Sequence, residues 1–237
     1  MGLLASAGEQ KLSLTQIWTL ATTEAKIIIL VLAVFSIFAW STMAAKALQM
    51  RRAKRLNHHF EIEFREQKSV LELFQKKLGV EGCPLFSVYQ DGCREIDGRL
   101  NAPDGTRKSH LSLKAVEHIK RSMEGAVARE SLKLESGLIL LAIAVSGAPF
   151  LGLLGTVWGV MDTFGGVVVK QKADLLAMAP GVSAALVTTV AGLLVAIPSM
   201  FGYNWLVHTL RVLTIELDNF AQSLASRLET EFLKEDE

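Results

Sequence analysis

Three stretches of this sequence are long enough to span a bilayer and contain no charged side chain: residues 27–45, 136–161 and 175–207. A helix of roughly 20 apolar residues crosses the hydrocarbon core of a bilayer, where an ionised side chain is costly. Because 21% of all residues are nevertheless charged, charged and apolar segments must alternate along the chain. The sequence therefore predicts an all-α membrane protein with three transmembrane helices.

Basic residues predict the orientation of these helices. Five of them follow the first stretch closely: Lys46, Arg51, Arg52, Lys54 and Arg55. Lys and Arg accumulate on the cytoplasmic side of membrane proteins, so residues 46–135 are predicted to form a cytoplasmic helical loop. The N-terminus and a short loop at 162–174 are then periplasmic, and residues 208–237 form a cytoplasmic C-terminal helix. Residues 1–26 are predicted to form either an interfacial helix on the outer leaflet or an extension of the first span.

The parts predicted to lie in the cytoplasm have a helical pattern. Helix formers fill residues 61–78, a turn is predicted at 101–109, and residues 111–135 are expected to continue without a break into the second span. An apolar stripe at helical spacing follows the third span: Leu206, Leu210, Leu213, Leu217, Phe220, Leu224 and Leu228. Spans two and three are thus expected to extend into a cytoplasmic helical bundle, the third as one helix to about Leu233.

For most classes of active site this sequence contains no matching motif, and we expect no enzyme, metal or cofactor site. Cys83 and Cys93 lack companion ligands at metal spacing and are interpreted as reduced structural thiols. His58 and His59 are interpreted as solvated surface residues. The net charge is +1, and topology together with anionic headgroups explains the basic cluster at 46–55 better than nucleic acid does.

The spans themselves combine small and hydroxyl residues. The second contains GAPFLGLLGTVWGVM, with Thr156 among glycines, and the third has a small, weakly polar stripe with Thr189 at its edge. The members of this stripe are Gly181, Ala185, Thr188, Gly192, Ala196 and Ser199. The hydroxyls either bind backbone carbonyls in packed helices or line an ion path. None of the three spans contains Asp, Glu, Lys, Arg or His, so a proton path would need a carboxylate from another subunit.

Two motifs carry a resemblance to a known family. GAPFLGLLGTVWGVMDTF and, after a short loop, APGVSAALVTTVAGLLVAIPSMFGYN resemble the second and third spans of the MotA/TolQ/ExbB proton channel family, in its TolQ/ExbB branch. The resemblance implies a multi-pass protein of the bacterial inner membrane that uses the proton motive force. It implies a homopentamer around a dimeric ExbD- or TolR-like protein, whose single span carries a protonatable aspartate. A TonB- or TolA-like protein is a further partner that it suggests.

The resemblance also assigns roles to residues. Thr156 and Thr189 fall on the pore-facing threonines of the family. Thr188 and Ser183 are grouped with them on the proton path because they carry hydroxyls in the same span as Thr189. Glycines and prolines of the same spans are assigned to helix packing: Gly152, Gly155, Gly159, Gly181, Gly192, Pro149, Pro180 and Pro198. Tyr203 and Asn204 are expected at the cytoplasmic end. One departure is Ala184, which stands where the family commonly has glutamate.

Two alternatives to a proton-driven envelope motor remain at this point. The first is a non-conducting membrane scaffold, whose small-residue faces would serve oligomerisation alone. The second is a relative specialised for motility or gliding. A small-molecule transporter is disfavoured because the chain shows no inverted repeat and no broken, charged helix.

Overall fold

The computed structural model describes residues 22–76, 79–101, 108–170 and 175–233. The elements are helices throughout these ranges apart from isolated bridges. In chain order they are α1 (Thr23–Glu66), α2 (Glu72–Gln75), α3 (Pro84–Leu100), α4 (Leu113–Glu135), α5 (Leu138–Lys170) and α6 (Leu175–Phe232). Three of them, α1, α5 and α6, are long and apolar enough to cross a membrane. The prediction of an all-α protein with three membrane-length helices is confirmed.

The chain divides into two compact units. The apolar unit comprises the described residues up to Thr42 together with Ile139–Tyr203, and the polar unit comprises Met43–Leu138 and the chain from Asn204 onward. Inside the apolar unit, α1 contributes Ile28 and Leu32 to a small core with Ala148, Val195 and Ala196. Large apolar side chains cover its outer surface, among them Ile37, Phe38, Phe150 and Leu194. Such a surface suits lipid or other apolar helices rather than water.

The polar unit has a larger core, built by residues at helical spacing on α3, α4 and α6. Of the predicted stripe on α6, six side chains are buried and Leu210 is half-buried. Aromatic rings of Phe60, Phe64, Tyr89 and Phe220 pack against one another with centroids 5.1–6.3 Å apart. Helix α4 begins after Ser112, whose hydroxyl accepts a hydrogen bond from the N–H of Ala115 at 3.3 Å, as expected of an N-cap.

The helix predicted at 61–78 is wrong in its extent, since α1 ends at Glu66 and residues 77–78 lie outside the described ranges. Two side chains of α6 account for this end. The guanidinium of Arg227 donates to the carbonyls of Phe64 and Arg65, and the carboxylate of Glu231 accepts from the N–H of Val70. These bonds satisfy backbone groups that a continued helix would have paired internally.

The uninterrupted helix predicted from 111–135 into the second span is also wrong, because Ser136 and Gly137 separate α4 from α5. Gly137 has φ +83°, a conformation that side chains with a Cβ rarely adopt. The ammonium of Lys46 donates to the carbonyls of Lys133 and Leu134, each at 3.4 Å. It thereby binds two carbonyls in the last turn of α4, of which that of Lys133 also accepts from the hydroxyl of Ser136 at 2.8 Å.

The short loop predicted at 162–174 differs as well, because α5 continues to Lys170 and residues 171–174 lie outside the described ranges. The loop was predicted to begin at Asp162 because the charge-free run ends there. A charged residue requires only that the helix has left the apolar layer, and the helix can continue beyond that point. Residues 1–21, most of the predicted N-terminal segment, likewise lie outside the described ranges. The described remainder of that segment belongs to α1 from Thr23 onward.

Cys83 and Cys93 are free, buried thiols of the polar unit. Burial raises the pKa of Cys93 from its ordinary value of 9.0 to about 12. The neutral thiol is therefore favoured in the fold, and its contribution to stability is lost as the pH rises from about 9 toward 12.

We expect Cys93 of the folded protein to react with iodoacetamide at pH 8 roughly a thousandfold more slowly than an unfolded thiol, since the thiolate is the reactive form. Mass spectrometry of a Cys83→Ser variant, labelled in detergent micelles and again after denaturation in SDS, measures this difference. Equal labelling rates in the two states would contradict the burial of Cys93.

Candidate functional site

Helices α5 and α6 approach each other closely along a row of glycines on α5. A Cβ atom added to Gly152 would lie 2.8 Å from the carbonyl oxygen of Thr188, and one added to Gly159 would lie 2.7 Å from the Cβ of Ala185. A Cβ at Gly155 would overlap the side chain of Thr188. The glycines therefore allow backbone-to-backbone contact, as small residues do in other membrane helix pairs.

Residues of α6 complete this contact from the other side. Gly192 faces the carbonyl of Ala148 and the Cα of Gly152, and Gly181 faces the hydroxyl of Thr163. The three prolines assigned to packing lie inside helices and are half-buried: Pro149 in α5, and Pro180 and Pro198 in α6. Membrane helices tolerate such prolines where neighbouring groups satisfy the freed backbone carbonyls.

Thr156 of α5 and Thr189 of α6 meet at this contact. Their hydroxyls are hydrogen-bonded to each other, and either can be the donor. Both also approach the carbonyl oxygen of Gly152, at 3.3 Å from Thr156 and 3.2 Å from Thr189. Both residues are half-buried, so their hydroxyls are near the surface of the helix pair. A hydroxyl donates one hydrogen bond and accepts up to two, which allows this pair to bind either form of a carboxyl group.

Thr188 and Ser183, which were grouped with this pair from the sequence, differ from it in their surroundings. Thr188 is completely buried between the helices, where its hydroxyl lies 2.7 Å from the carbonyl of Ala185 and 3.0 Å from that of Gly152. Ser183 is half-buried and lies outside the network that joins the three threonines. The structure thus brings together Thr156, Thr188 and Thr189, but it leaves only Thr156 and Thr189 partly exposed.

No charged residue lies within five positions of Thr156 or Thr189 along the chain. In the described part of the apolar unit, charged residues occur at Glu24 and Lys26 in α1 and at Asp162 and Lys170 in α5. Within the described ranges of the whole chain, no three His, Cys, Asp or Glu residues are grouped to hold a metal ion. The site consists of hydroxyls and backbone carbonyls, which can orient a charged or protonated group but cannot themselves titrate near neutral pH.

Ala184, the departure from the family pattern, lies one turn from Thr188 on α6. It is 3% exposed and packs with Ala25 of α1, which is 2% exposed. Alanine is therefore suited to the close approach of α1 and α6, and a glutamate would place a carboxylate in that contact. Sequence reasoning missed this role because the pairing of Ala25 with Ala184 depends on which faces of the helices meet.

Tyr203 and Asn204 lie at the end of the apolar segment of α6. Tyr203 is half-buried and is the last residue of the apolar unit, while Asn204 is exposed and begins the C-terminal part of the polar unit. The two residues therefore mark a change from apolar to polar surroundings along one continuous helix.

Comparisons with known proteins agree with the motifs of the two spans. The profile of the MotA/TolQ/ExbB proton channel family matches residues 101–219. The chain is 32% identical to the Tol-Pal system protein TolQ of Pseudomonas aeruginosa over 196 residues, which cover 80% of this chain and 82% of that protein. It is 34% identical to the biopolymer transport protein ExbB of Pseudomonas putida, over 76% of this chain and 52% of that protein. The TolQ protein of Haemophilus influenzae is 29% identical over 88% of this chain and 89% of its own length.

Proposed function

The chain belongs to the MotA/TolQ/ExbB proton channel family, and we propose that it is the channel subunit of a motor that converts the proton motive force into mechanical work across the cell envelope. Its named relatives belong to Tol-Pal and biopolymer transport systems. Each proton that crosses the membrane releases roughly 2.3 kcal/mol per 100 mV of membrane potential. A few protons per step would therefore suffice to move a large domain.

The observation that carries this proposal is the Thr156–Thr189 hydroxyl pair. The pair is half-exposed on two apolar helices whose charge-free stretches supply no titratable group. Such hydroxyls could donate to a carboxylate and accept from a carboxylic acid. They would thus stabilise both states of an aspartate that a partner brings to the path.

The assembly that we propose follows from this division of roles. A dimeric ExbD- or TolR-like protein contributes the membrane aspartate from its single span, and copies of this chain, five by family resemblance, surround it. The complex lies in the bacterial inner membrane and works with a TonB- or TolA-like protein. In this assembly the polar unit lies in the cytoplasm and the N-terminus in the periplasm, an orientation supported by the exposed basic residues that follow the first span, such as Arg51 and Arg55.

Reconstitution into liposomes tests the proposal. The partner to co-express is a single-span protein with a membrane aspartate, to be sought among the genes that neighbour the one encoding this chain. We expect the purified complex to conduct protons under an imposed potential, measured with an internal pH-sensitive dye. This chain alone should not conduct, because its spans lack a group that can carry the proton.

The matched control is the same complex with the partner's aspartate replaced by asparagine, which keeps the size of the side chain but cannot titrate. Loss of conduction in this control supports the proposal. Equal conduction by the control, or by this chain alone, would show that the proton takes another route.

A non-conducting scaffold is the second candidate, and one observation favours it. The hydroxyls of Thr156, Thr188 and Thr189 all bind backbone carbonyls of the packed helices, as they would in a purely structural contact. A scaffold would assemble with the partner and conduct no protons in the same liposome experiment.

A further inference from the structure

The carbonyl oxygen of Gly152 lies within hydrogen-bonding distance of three hydroxyls. Thr156 approaches it from one turn along α5, and Thr188 and Thr189 approach it from α6. Of the three distances, that to Thr188 is the shortest, at 3.0 Å, against 3.2 Å for Thr189 and 3.3 Å for Thr156. One of the two lone pairs on the Gly152 carbonyl accepts the N–H of Thr156 within helix α5, so the three hydroxyls compete for the other.

The three threonines differ in what else they can reach. Thr188 is completely buried, and within the described ranges its hydroxyl has one other hydrogen bond, to the carbonyl of Ala185 in its own helix. It faces Gly155, where even a Cβ atom would overlap its side chain. Thr156 and Thr189, by contrast, are half-exposed and bind each other. Only these two can turn toward a group outside the chain.

We propose that Thr188 is a positioning residue that occupies the second lone pair of the Gly152 carbonyl while Thr156 and Thr189 bind the partner's carboxyl group. This lone pair is a strong acceptor in the apolar contact, where no water competes for it. Without Thr188, it would hold the hydroxyl of Thr156 or Thr189 on Gly152, turned away from the path. With Thr188 in place, both hydroxyls can leave Gly152 while the hydrogen bond from Thr188 still joins α6 to α5. The expected effect on proton conduction rests on the proposed function, but the role of Thr188 in the contact between α5 and α6 can be tested without it.

The matched variants are Thr188→Ser and Thr188→Ala. Both lose the γ-methyl group, and only serine keeps the hydroxyl, so a difference between them reports the hydrogen bond rather than packing. Valine is less suitable, because its methyl would take the place of an oxygen that lies 2.7 Å from the carbonyl of Ala185.

Disulfide formation between positions 156 and 189 reports the geometry of the helix contact, and it requires neither the partner nor proton conduction. Touching hydroxyls at 156 and 189 place sulfur atoms within reach of a bond, so a Thr156→Cys/Thr189→Cys chain should cross-link in membranes on addition of copper phenanthroline. We expect the same rate with threonine or serine at 188 and a rate lower by roughly three- to tenfold with alanine, the scale of one interhelical hydrogen bond. Equal rates with serine and alanine would overturn the positioning role.

Proton flux through the complex with its partner measures the effect of Thr188 on conduction. Thr188→Ser should retain flux close to that of the unchanged chain, and Thr188→Ala should lose roughly three- to tenfold, with unchanged assembly on size-exclusion chromatography. Equal flux with serine and alanine would overturn the inference even if conduction itself is demonstrated. If the cross-linking rates differ as expected while no complex conducts, the positioning stands and the proposed function fails.

Discussion

Replacing Thr156 or Thr189 with valine is expected to abolish proton-coupled work while the complex still assembles. Valine keeps the branched shape of threonine and removes its hydroxyl. Both positions are half-buried, unlike the enclosed Thr188, so the added methyl group can turn toward the open side of the contact. The path loses a preorganised hydrogen-bonding group at the point where a carboxyl group changes charge. Removal of one such group elsewhere lowers rates by roughly a hundredfold or more, which is the scale that we expect for proton flux.

Flux into dye-loaded liposomes measures this loss, and size-exclusion chromatography with the partner checks assembly. Thr209→Val on α6 is the matched control, since Thr209 is half-buried in the polar unit and its hydroxyl donates to the carbonyl of Trp205 one turn back. This control should conduct normally. Full activity of both Thr156→Val and Thr189→Val would show that the pair does not line the path.

Replacing Gly152 with alanine is expected to destabilise the apolar unit strongly. The added Cβ would lie 2.8 Å from the carbonyl oxygen of Thr188 and 3.0 Å from the Cα of Thr189. Both are backbone atoms, which cannot move aside as the end of a flexible side chain could. Helices α5 and α6 must therefore separate, and overpacking of this kind costs about 1–3 kcal/mol or more. We expect a lower thermal unfolding temperature in detergent, followed by circular dichroism, and a reduced yield of assembled complex.

Gly147→Ala provides the matched control on the same helix. Gly147 is half-buried, and a Cβ atom there would meet nothing within 4 Å. Alanine favours the helix over glycine by about 0.5–1 kcal/mol, so this variant should unfold at the same temperature or slightly higher. If the two variants unfold alike, the close contact of α5 and α6 is absent.

Two breaks in the helices show why the sequence could not predict every boundary. The ends of α1 at Glu66 and of α4 at Glu135 occur without a proline, and only the second has a local stop signal, the glycine at 137. They are stabilised by side chains distant in sequence, Arg227 with Glu231 in one case and Lys46 in the other. Local helix propensity is a weak guide where tertiary hydrogen bonds satisfy the backbone groups at a helix end.

The sequence by itself determined the number of membrane-length helices and the family. Charge-free length is a property of the chain alone, because the bilayer imposes one dimension on every helix that crosses it. Only the tertiary structure decided which threonine hydroxyl is buried between the helices and which is partly exposed. Thr188 and Thr189 are adjacent and chemically identical, yet neighbouring residues on a helix point about 100° apart. The position of α5 therefore buries Thr188 completely and leaves Thr189 half-exposed beside Thr156.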